Sequence, residues 1–166
     1  AGQVLAGKDT LVSSNGKFAL GFFQPNSKSS RHASNWYLGV WCNTVPKFTP
    51  AWVANGDKPV TLPELAISGD GNLVIIDQST KSIIWSTQAN TTANSTRAML
   101  LKTGNLVLQS TSNSSHVLWQ SFDYPTDTHL AGAKLGRDKV TGLNHRLVSR
   151  KNSIDPAPGM YVYELH

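Results

Sequence analysis

Two polar side chains separated by one glycine stand at the head of an apolar run: Asp70-Gly71-Asn72 leads into Leu73-Val74-Ile75. On an extended chain, residues two apart share a face, so this carboxylate and carboxamide could meet one ligand together. The same residue types also close hairpin turns. Asp and Asn hydrogen-bond their own backbone, and Gly takes the positive φ that a tight turn requires. Both readings stand on spacing alone. Calcium binding does not, because Leu73-Val74 falls where a calcium loop needs further oxygen ligands and a Gly.

Other chemistry fails on residue type or spacing. His32, His116, His129, His145 and His166 lack the spacing of metal ligands. There is no phosphate loop and no Gly-x-Ser-x-Gly elbow. The single Cys42 cannot form an intramolecular disulfide, and it sits in the strand-like run Leu38-Gly39-Val40-Trp41-Cys42. A buried free thiol is expected there, since no cysteine-protease signature surrounds it. Catalytic residues, metal ligands and cofactors are therefore all expected to be none. Three Asn-x-Ser/Thr sequons, at Asn90, Asn94 and Asn113, fall in polar stretches and are expected glycosylation acceptors.

The elements that must position Asp70 and Asn72 come as repeats. Thr103-Gly104-Asn105-Leu106-Val107-Leu108 is a near copy, and Asn15-Gly16-Lys17-Phe18-Ala19-Leu20 is a looser one. Each reads as a turn, a polar residue and a strand, and each is followed by tryptophan: Trp41 and Trp52, then Trp85, then Trp119. Repetition of that unit predicts three similar sheets around a shared core. Hairpins are expected over Thr10 to Phe23, Leu65 to Asp77 and Met99 to Gln109, with further strands at Tyr37 to Trp41, Ala51 to Ala54, Lys81 to Ser86 and Val117 to Gln120. Gln24 to Asn35, Gln88 to Thr96 and Ser110 to Ser115 are expected loops. No window keeps helical periodicity, so an all-β domain of about a dozen short strands is predicted. After Phe122 the chain turns basic and less apolar, then ends in a strand-like Met160 to Leu165. A boundary is expected near Thr128, giving 1–128 as the repeat domain and 129–166 as a basic tail.

Composition sets the class. Of 166 residues only 15% are charged, and five Trp, five Phe and four Tyr can anchor a small core. Abundant Ser, Thr, Asn and Gly favour an extracellular loop-rich β protein over a cytosolic helical one. The net charge of +5 is concentrated in Lys134, Arg137, Lys139, Arg146, Arg150 and Lys151. No aromatic residue is interleaved among them, so no nucleic-acid partner is expected, and a solvated or domain-facing surface is the better reading. No apolar run approaches the ~20 residues of a membrane span, and no membrane contact is expected. Nothing at Ala1 resembles a signal peptide, so a secreted form would have lost its leader.

Four longer motifs place the chain in a family. Leu38-Gly39-Val40-Trp41, Trp52-Val53-Ala54-Asn55, Ser68-Gly69-Asp70-Gly71-Asn72-Leu73-Val74 and Leu118-Trp119-Gln120-Ser121-Phe122-Asp123-Tyr124-Pro125-Thr126-Asp127-Thr128 resemble the bulb-type, mannose-binding (G-type) lectin domain of plant S-locus receptor-like serine/threonine kinases. That resemblance implies a β-prism II fold, three four-stranded sheets about a pseudo-threefold axis. It implies a domain on the extracellular face of the plasma membrane, belonging to a single-pass receptor whose kinase lies outside these residues. A protein, glycan or small-molecule ligand is implied, with possible homo- or hetero-dimerisation with receptor kinases.

The resemblance also implies a sugar site. The family motif Gln-x-Asp-x-Asn-x-Val-x-Tyr maps onto Ser68, Asp70, Asn72, Val74 and Ile76, where Ser replaces Gln and Ile replaces Tyr. The copy at Leu101, Thr103, Asn105, Val107 and Gln109 keeps only Asn and Val. The copy at Ser13, Asn15, Lys17, Ala19 and Gly21 keeps none. Millimolar sugar binding is worth only ~4 kcal/mol, and each group left unpaired costs ~1–3 kcal/mol, so two departures erode the site. The expected function is a recognition domain with a degenerate mannose motif, contributing to ligand perception or receptor pairing. The alternative is a working mannose-binding lectin domain.

Overall fold

The computed structural model describes residues 4–25, 34–91 and 95–165. Most of the loop expected at Gln24 to Asn35 lies outside these residues, as do His32, Asn94 and His166.

Each repeat forms one antiparallel sheet. The first joins β1 (Leu5–Ala6) to the second repeat's strands and otherwise runs β2 (Thr10–Val12), β3 (Phe18–Phe23), β4 (Tyr37–Cys42) and β5 (Pro50–Val53) in order. The second has β1 at its edge, then β6 (Pro63–Ile67), β7 (Leu73–Asp77) and β8 (Ser82–Ser86). The third is β11 (Val117–Gln120), β10 (Leu106–Ser110) and β9 (Thr96–Leu100). It has three strands among the described residues where four were expected; the second sheet reaches four by borrowing β1 from the N-terminus.

The alternation of each central strand decides where the core lies. Leu20 and Phe22 on β3, Leu73 and Ile75 on β7, and Leu106 and Leu108 on β10 all point into one buried cluster. Residues two apart share that face, which is why the three copies superimpose in function as core. The last strand of each sheet delivers a tryptophan to the centre. Trp52, Trp85 and Trp119 meet edge to face, with centroids 6.1, 5.9 and 5.6 Å apart. That is the favourable geometry for aromatic quadrupoles, adding ~0.5–1.5 kcal/mol per pair beyond area burial.

The chain after β11 makes a single 3-10 turn at Ser121–Asp123 and then two small hairpins. They are β12 (Gly136–Arg137) with β13 (Asn144–His145), and β14 (Leu147–Arg150) with β15 (Pro158–Tyr163). The expected final strand at Met160 to Leu165 is thus β15, shifted two residues earlier. No α-helix is present among the described residues, and none of their helices is long and apolar enough to cross a membrane.

Cys42 corrects one expectation. It ends β4 half-buried rather than buried, with Sγ 3.3 Å from Thr44 Oγ1. The strand pattern of residues 37–40 is fully buried, but the sheet runs out before position 42. The Thr44 hydroxyl, with backbone N–H groups of Thr44 and Val45, lowers the thiol's pKa.

Candidate functional site

The hairpin turn between β6 and β7 gathers three of the five motif residues. Gly71 takes φ +84°, which lets the chain reverse between Ser68 and Asn72. The Ser68 hydroxyl donates to Asp70 Oδ1, and the backbone N–H of Asn72 donates to the same oxygen at 3.1 Å. Asn72 Nδ2 donates to Asp70 Oδ2, also at 3.1 Å. Led by the Ser68 hydroxyl, these donors lower the Asp70 pKa and hold the carboxylate ionised.

Asn72 is occupied on its oxygen as well. Its Oδ1 accepts the Thr87 hydroxyl at 2.8 Å and the Ala89 N–H at 2.7 Å, and the side chain is buried. The Thr91 hydroxyl adds a bond to the Asp70 carbonyl. The Asn72 carboxamide is therefore bonded to protein through both its oxygen and its nitrogen. Val74 is only 2% exposed, so its methyl groups are not free to pack against sugar carbons. Ile76 lies apart from the turn, half-buried and cross-strand from Glu64 and Ile83. Of the mapped set only Asp70 is exposed.

The third sheet repeats this arrangement. Asn105 Oδ1 accepts the Ser121 hydroxyl at 3.1 Å and the Phe122 N–H at 3.2 Å, while Nδ2 donates to Gln120 Oε1 at 2.9 Å. Ser121 Oγ accepts the Leu106 N–H at 3.0 Å, as Thr87 Oγ1 accepts the Leu73 N–H at 3.2 Å. Sequence reasoning missed Thr87 and Ser121. A signal was present: each hydroxyl follows its tryptophan by two, in Trp85-Ser86-Thr87 and Trp119-Gln120-Ser121. In the first repeat, Asn55 does comparable work from the other strand, with Oδ1 accepting the Leu38 N–H at 2.8 Å.

A sequence profile of D-mannose binding lectins matches residues 49–151, more than half of the chain and all of the second and third repeats' motifs. The chain belongs to the D-mannose binding lectin family. This lectin domain is 42% identical over 167 aligned residues to a G-type lectin S-receptor-like serine/threonine-protein kinase of Arabidopsis thaliana, which covers 97% of the chain and 19% of the relative. It is 46% identical over 164 residues to the S-locus-specific glycoprotein S6 of Brassica oleracea, covering 94% of the chain and 36% of the relative. The chain thus spans a fifth to just over a third of the length of these relatives. Among solved structures, a monomeric monocot mannose-binding lectin from Gastrodia elata aligns with 73% of the chain and 92% of its own, at a TM-score of 0.53 and 21% identity. That likeness confirms the β-prism II fold.

The lectin domain's other sequence-singled groups are dispersed. Asn90 and Asn113 are exposed on loops, and Asn113 Oδ1 accepts the Ser115 N–H at 3.1 Å and its hydroxyl at 2.6 Å. Asn94 lies outside the described residues. His145 is buried against the Asp123 carbonyl at 3.2 Å. No group of three or more His, Cys, Asp or Glu among the described residues could hold a metal ion.

Proposed function

We propose that this lectin domain is the extracellular recognition domain of a plant S-receptor-like serine/threonine kinase, contributing to ligand perception or receptor pairing without binding mannose through Asp70 and Asn72. Residues 1–128 form the lectin domain proper, and 129–166 lead into the region that follows. The kinase of the parent protein supplies the enzymatic output; this segment supplies recognition at the cell surface.

Asn72 is the observation that carries this reading. Its carboxamide makes three hydrogen bonds to Asp70, Thr87 and Ala89, which occupy its oxygen and one of its two N–H donors, and at 6% exposure the residue leaves a sugar hydroxyl little access without displacing them. Displacement leaves buried protein groups unpaired at ~1–3 kcal/mol each, comparable to the whole of a millimolar affinity at ~4 kcal/mol. Val74 offers no exposed apolar contact in compensation. The one Ser68 hydroxyl proton is shared between Asp70 Oδ1 and the Asn72 carbonyl, the latter at 3.0 Å.

The working-lectin reading keeps one observation in its favour, the exposed and ionised Asp70 carboxylate. Calorimetric titration of mannose and oligomannosides into the deglycosylated domain separates the two. No saturable heat at millimolar sugar is expected. Saturable heat that disappears in Asp70→Ala, with the unfolding temperature unchanged, would make the motif a functional sugar site instead. Glycosylation at Asn90, Asn94 and Asn113 accords with the same reading, and mass spectrometry of the domain expressed through a secretory pathway tests it.

A further inference from the structure

Four consecutive apolar side chains stand exposed on β15, from Met160 at 90% and Tyr161 at 78% to Val162 and Tyr163. Successive residues of a strand point to opposite faces, so neither face of β15 is covered. The strand belongs to a two-stranded sheet with β14, which leaves its other edge open. Such an edge offers N–H and C=O groups to any extended chain that fits, and proteins usually blunt it with charge or an internal proline. Pro158–Tyr163 has no charged residue, and its proline stands first.

The bonds made by β14 show which backbone groups face the open side. The Val148 N–H turns away from β15, to the Thr126 carbonyl at 2.8 Å, so Val148 and its partner Val162 do not exchange bonds. Alternation then aims the N–H and C=O of Val162 outward. One residue earlier the Tyr161 N–H goes inward, to Ser149 Oγ at 3.3 Å, where the ladder slips. Val162 is therefore the centre of the open edge.

The C-terminal end of that edge is cationic. Leu147 pairs with Tyr163, which brings the exposed Arg146 beside it. Asn144 Nδ2 donates to Glu164 Oε2 at 3.0 Å, and Asn144 stands directly opposite the exposed Arg137 in the β12–β13 hairpin. His145 is buried on the other face of that hairpin, so Arg137 and Asn144 share the outer one. Of the six Lys and Arg in residues 129–166, Arg150 and Lys151 are ion-paired, to Asp127 and Asp155. Lys134, Arg137, Lys139 and Arg146 form no ion pair among the described residues.

We infer that β15 docks an extended peptide that adds to it as an antiparallel strand, with apolar residues along Met160 to Tyr163 and acidic residues against Arg137 and Arg146. Antiparallel addition is the more stable pairing and sets the peptide's N-terminal end beside Tyr163, so its acidic residues precede its apolar run. A second copy of this chain fits less well. Each tail would bring six cations against the three carboxylates of Asp138, Asp155 and Glu164, and like charges would meet. The inference rests on the reading above and gives the recognition domain a class of partner.

The test titrates the whole 166-residue chain with a synthetic peptide, acetyl-Glu-Asp-Glu-Thr-Val-Thr-Val-Thr-amide. Its counterparts are the same peptide N-methylated at alternate residues, one with Lys in place of the acids, and polyglutamate. Saturable binding of the first peptide is expected, with new hydrogen-exchange protection at the Val162 amide and none at Tyr161. Val162→Pro removes only an outward N–H, so it should weaken binding about tenfold or more while near-ultraviolet circular dichroism holds. Arg137→Ala with Arg146→Ala should weaken it by about as much and flatten its salt dependence. No binding at about 1 mM peptide, equal binding of the N-methylated, Lys or polyglutamate probe, or wild-type affinity in Val162→Pro overturns the inference. Sedimentation that shows self-association abolished by Val162→Pro also overturns it, assigning the edge to a second copy. Each of these leaves the recognition-domain reading standing, since that reading falls only to mannose binding lost in Asp70→Ala.

Discussion

Asn72 and Thr87 are joined by a 2.8 Å hydrogen bond that ties the turn before β7 to the end of β8. The Thr87 hydroxyl in turn accepts the Leu73 N–H, so one short relay caps the exit of β8 and the entry of β7. Removing the carboxamide leaves the Thr87 hydroxyl and the Ala89 N–H without their acceptor in a buried setting. Asn72→Ala should therefore destabilise the domain by about 1–3 kcal/mol, read by urea unfolding. The same loss is expected in Asn105→Ala, whose bonds to Ser121 and Phe122 are equivalent. A purely ligand-facing Asn72 would show no change in stability.

The hydroxyl of the relay can be tested by itself. Thr87→Val keeps the shape but orphans the Leu73 N–H, at a cost of about 1–3 kcal/mol. Thr87→Ser should recover most of that, because Ser121 already does the same task in the third sheet. Comparing the two variants in one unfolding series separates loss of the hydroxyl from loss of the methyl group.

Two turn glycines differ in what surrounds them. Gly71 and Gly104 both have φ +84°, so alanine costs about 1–2 kcal/mol of backbone strain at either. A Cβ at position 104 would also lie 2.8 Å from Phe18 Cδ1, a ring packed against the core. At position 71 the nearest atom would be Thr96 Cγ2 at 3.2 Å. Gly104→Ala should thus lower the unfolding temperature more than Gly71→Ala. Equal shifts would mean that Phe18 yields freely.

These contrasts show why the sheets were legible in sequence and the site was not. Leu73 and Ile75 alternate with Asn72 and Val74, and a period of two with glycine turns is enough to place strands and core. The same period says which residues share a face but not whether that face is free. Asn72 and Val74 do share one, and both are buried. What consumes Asn72 is Thr87, fifteen residues away, and only the folded sheet brings them together. The open edge of β15 was equally hidden. A strand was expected over Met160 to Leu165, but the pattern of one strand does not tell which of its edges finds a partner. The third sheet has three strands among the described residues, while the N-terminal β1 gives the second sheet its fourth by a pairing with β6 that spans sixty residues of chain and leaves no local pattern to read.

Asp77 gives the domain a defined acid limit. Burial alone would raise its pKa, but the Ser79 hydroxyl and the N–H groups of Thr61, Ser79 and Leu62 outweigh it and lower the value from 3.8 to about 2. The folded carboxyl therefore holds its proton less tightly than the unfolded one. Its contribution is complete above the unfolded value, near 3.8, and is lost as pH falls toward about 2. Urea unfolding between pH 6 and pH 2 should show that fall. In Asp77→Asn the domain should be weaker at neutral pH and its acid slope shallower; an unchanged slope would place the acid sensitivity elsewhere.

Residues 129–166, the tail, are held to the three sheets at points that can be cut one at a time. Arg150 Nε meets Asp127 Oδ2 at 2.5 Å, and Arg150 also donates to the Pro50 carbonyl at 3.2 Å. Because both side chains are largely covered, at 26% and 20% exposure, breaking the pair leaves a poorly solvated charge behind. Gly56 adds a steric condition, for any side chain there meets the Pro156 carbonyl. Asp127→Ala and Gly56→Ala should each loosen the tail while the three tryptophans stay packed. The sign would be faster tryptic cleavage after Arg150 and Lys151 with near-ultraviolet circular dichroism preserved. If cleavage and the tryptophan signal change together, the tail is instead part of the same cooperative unit as the prism.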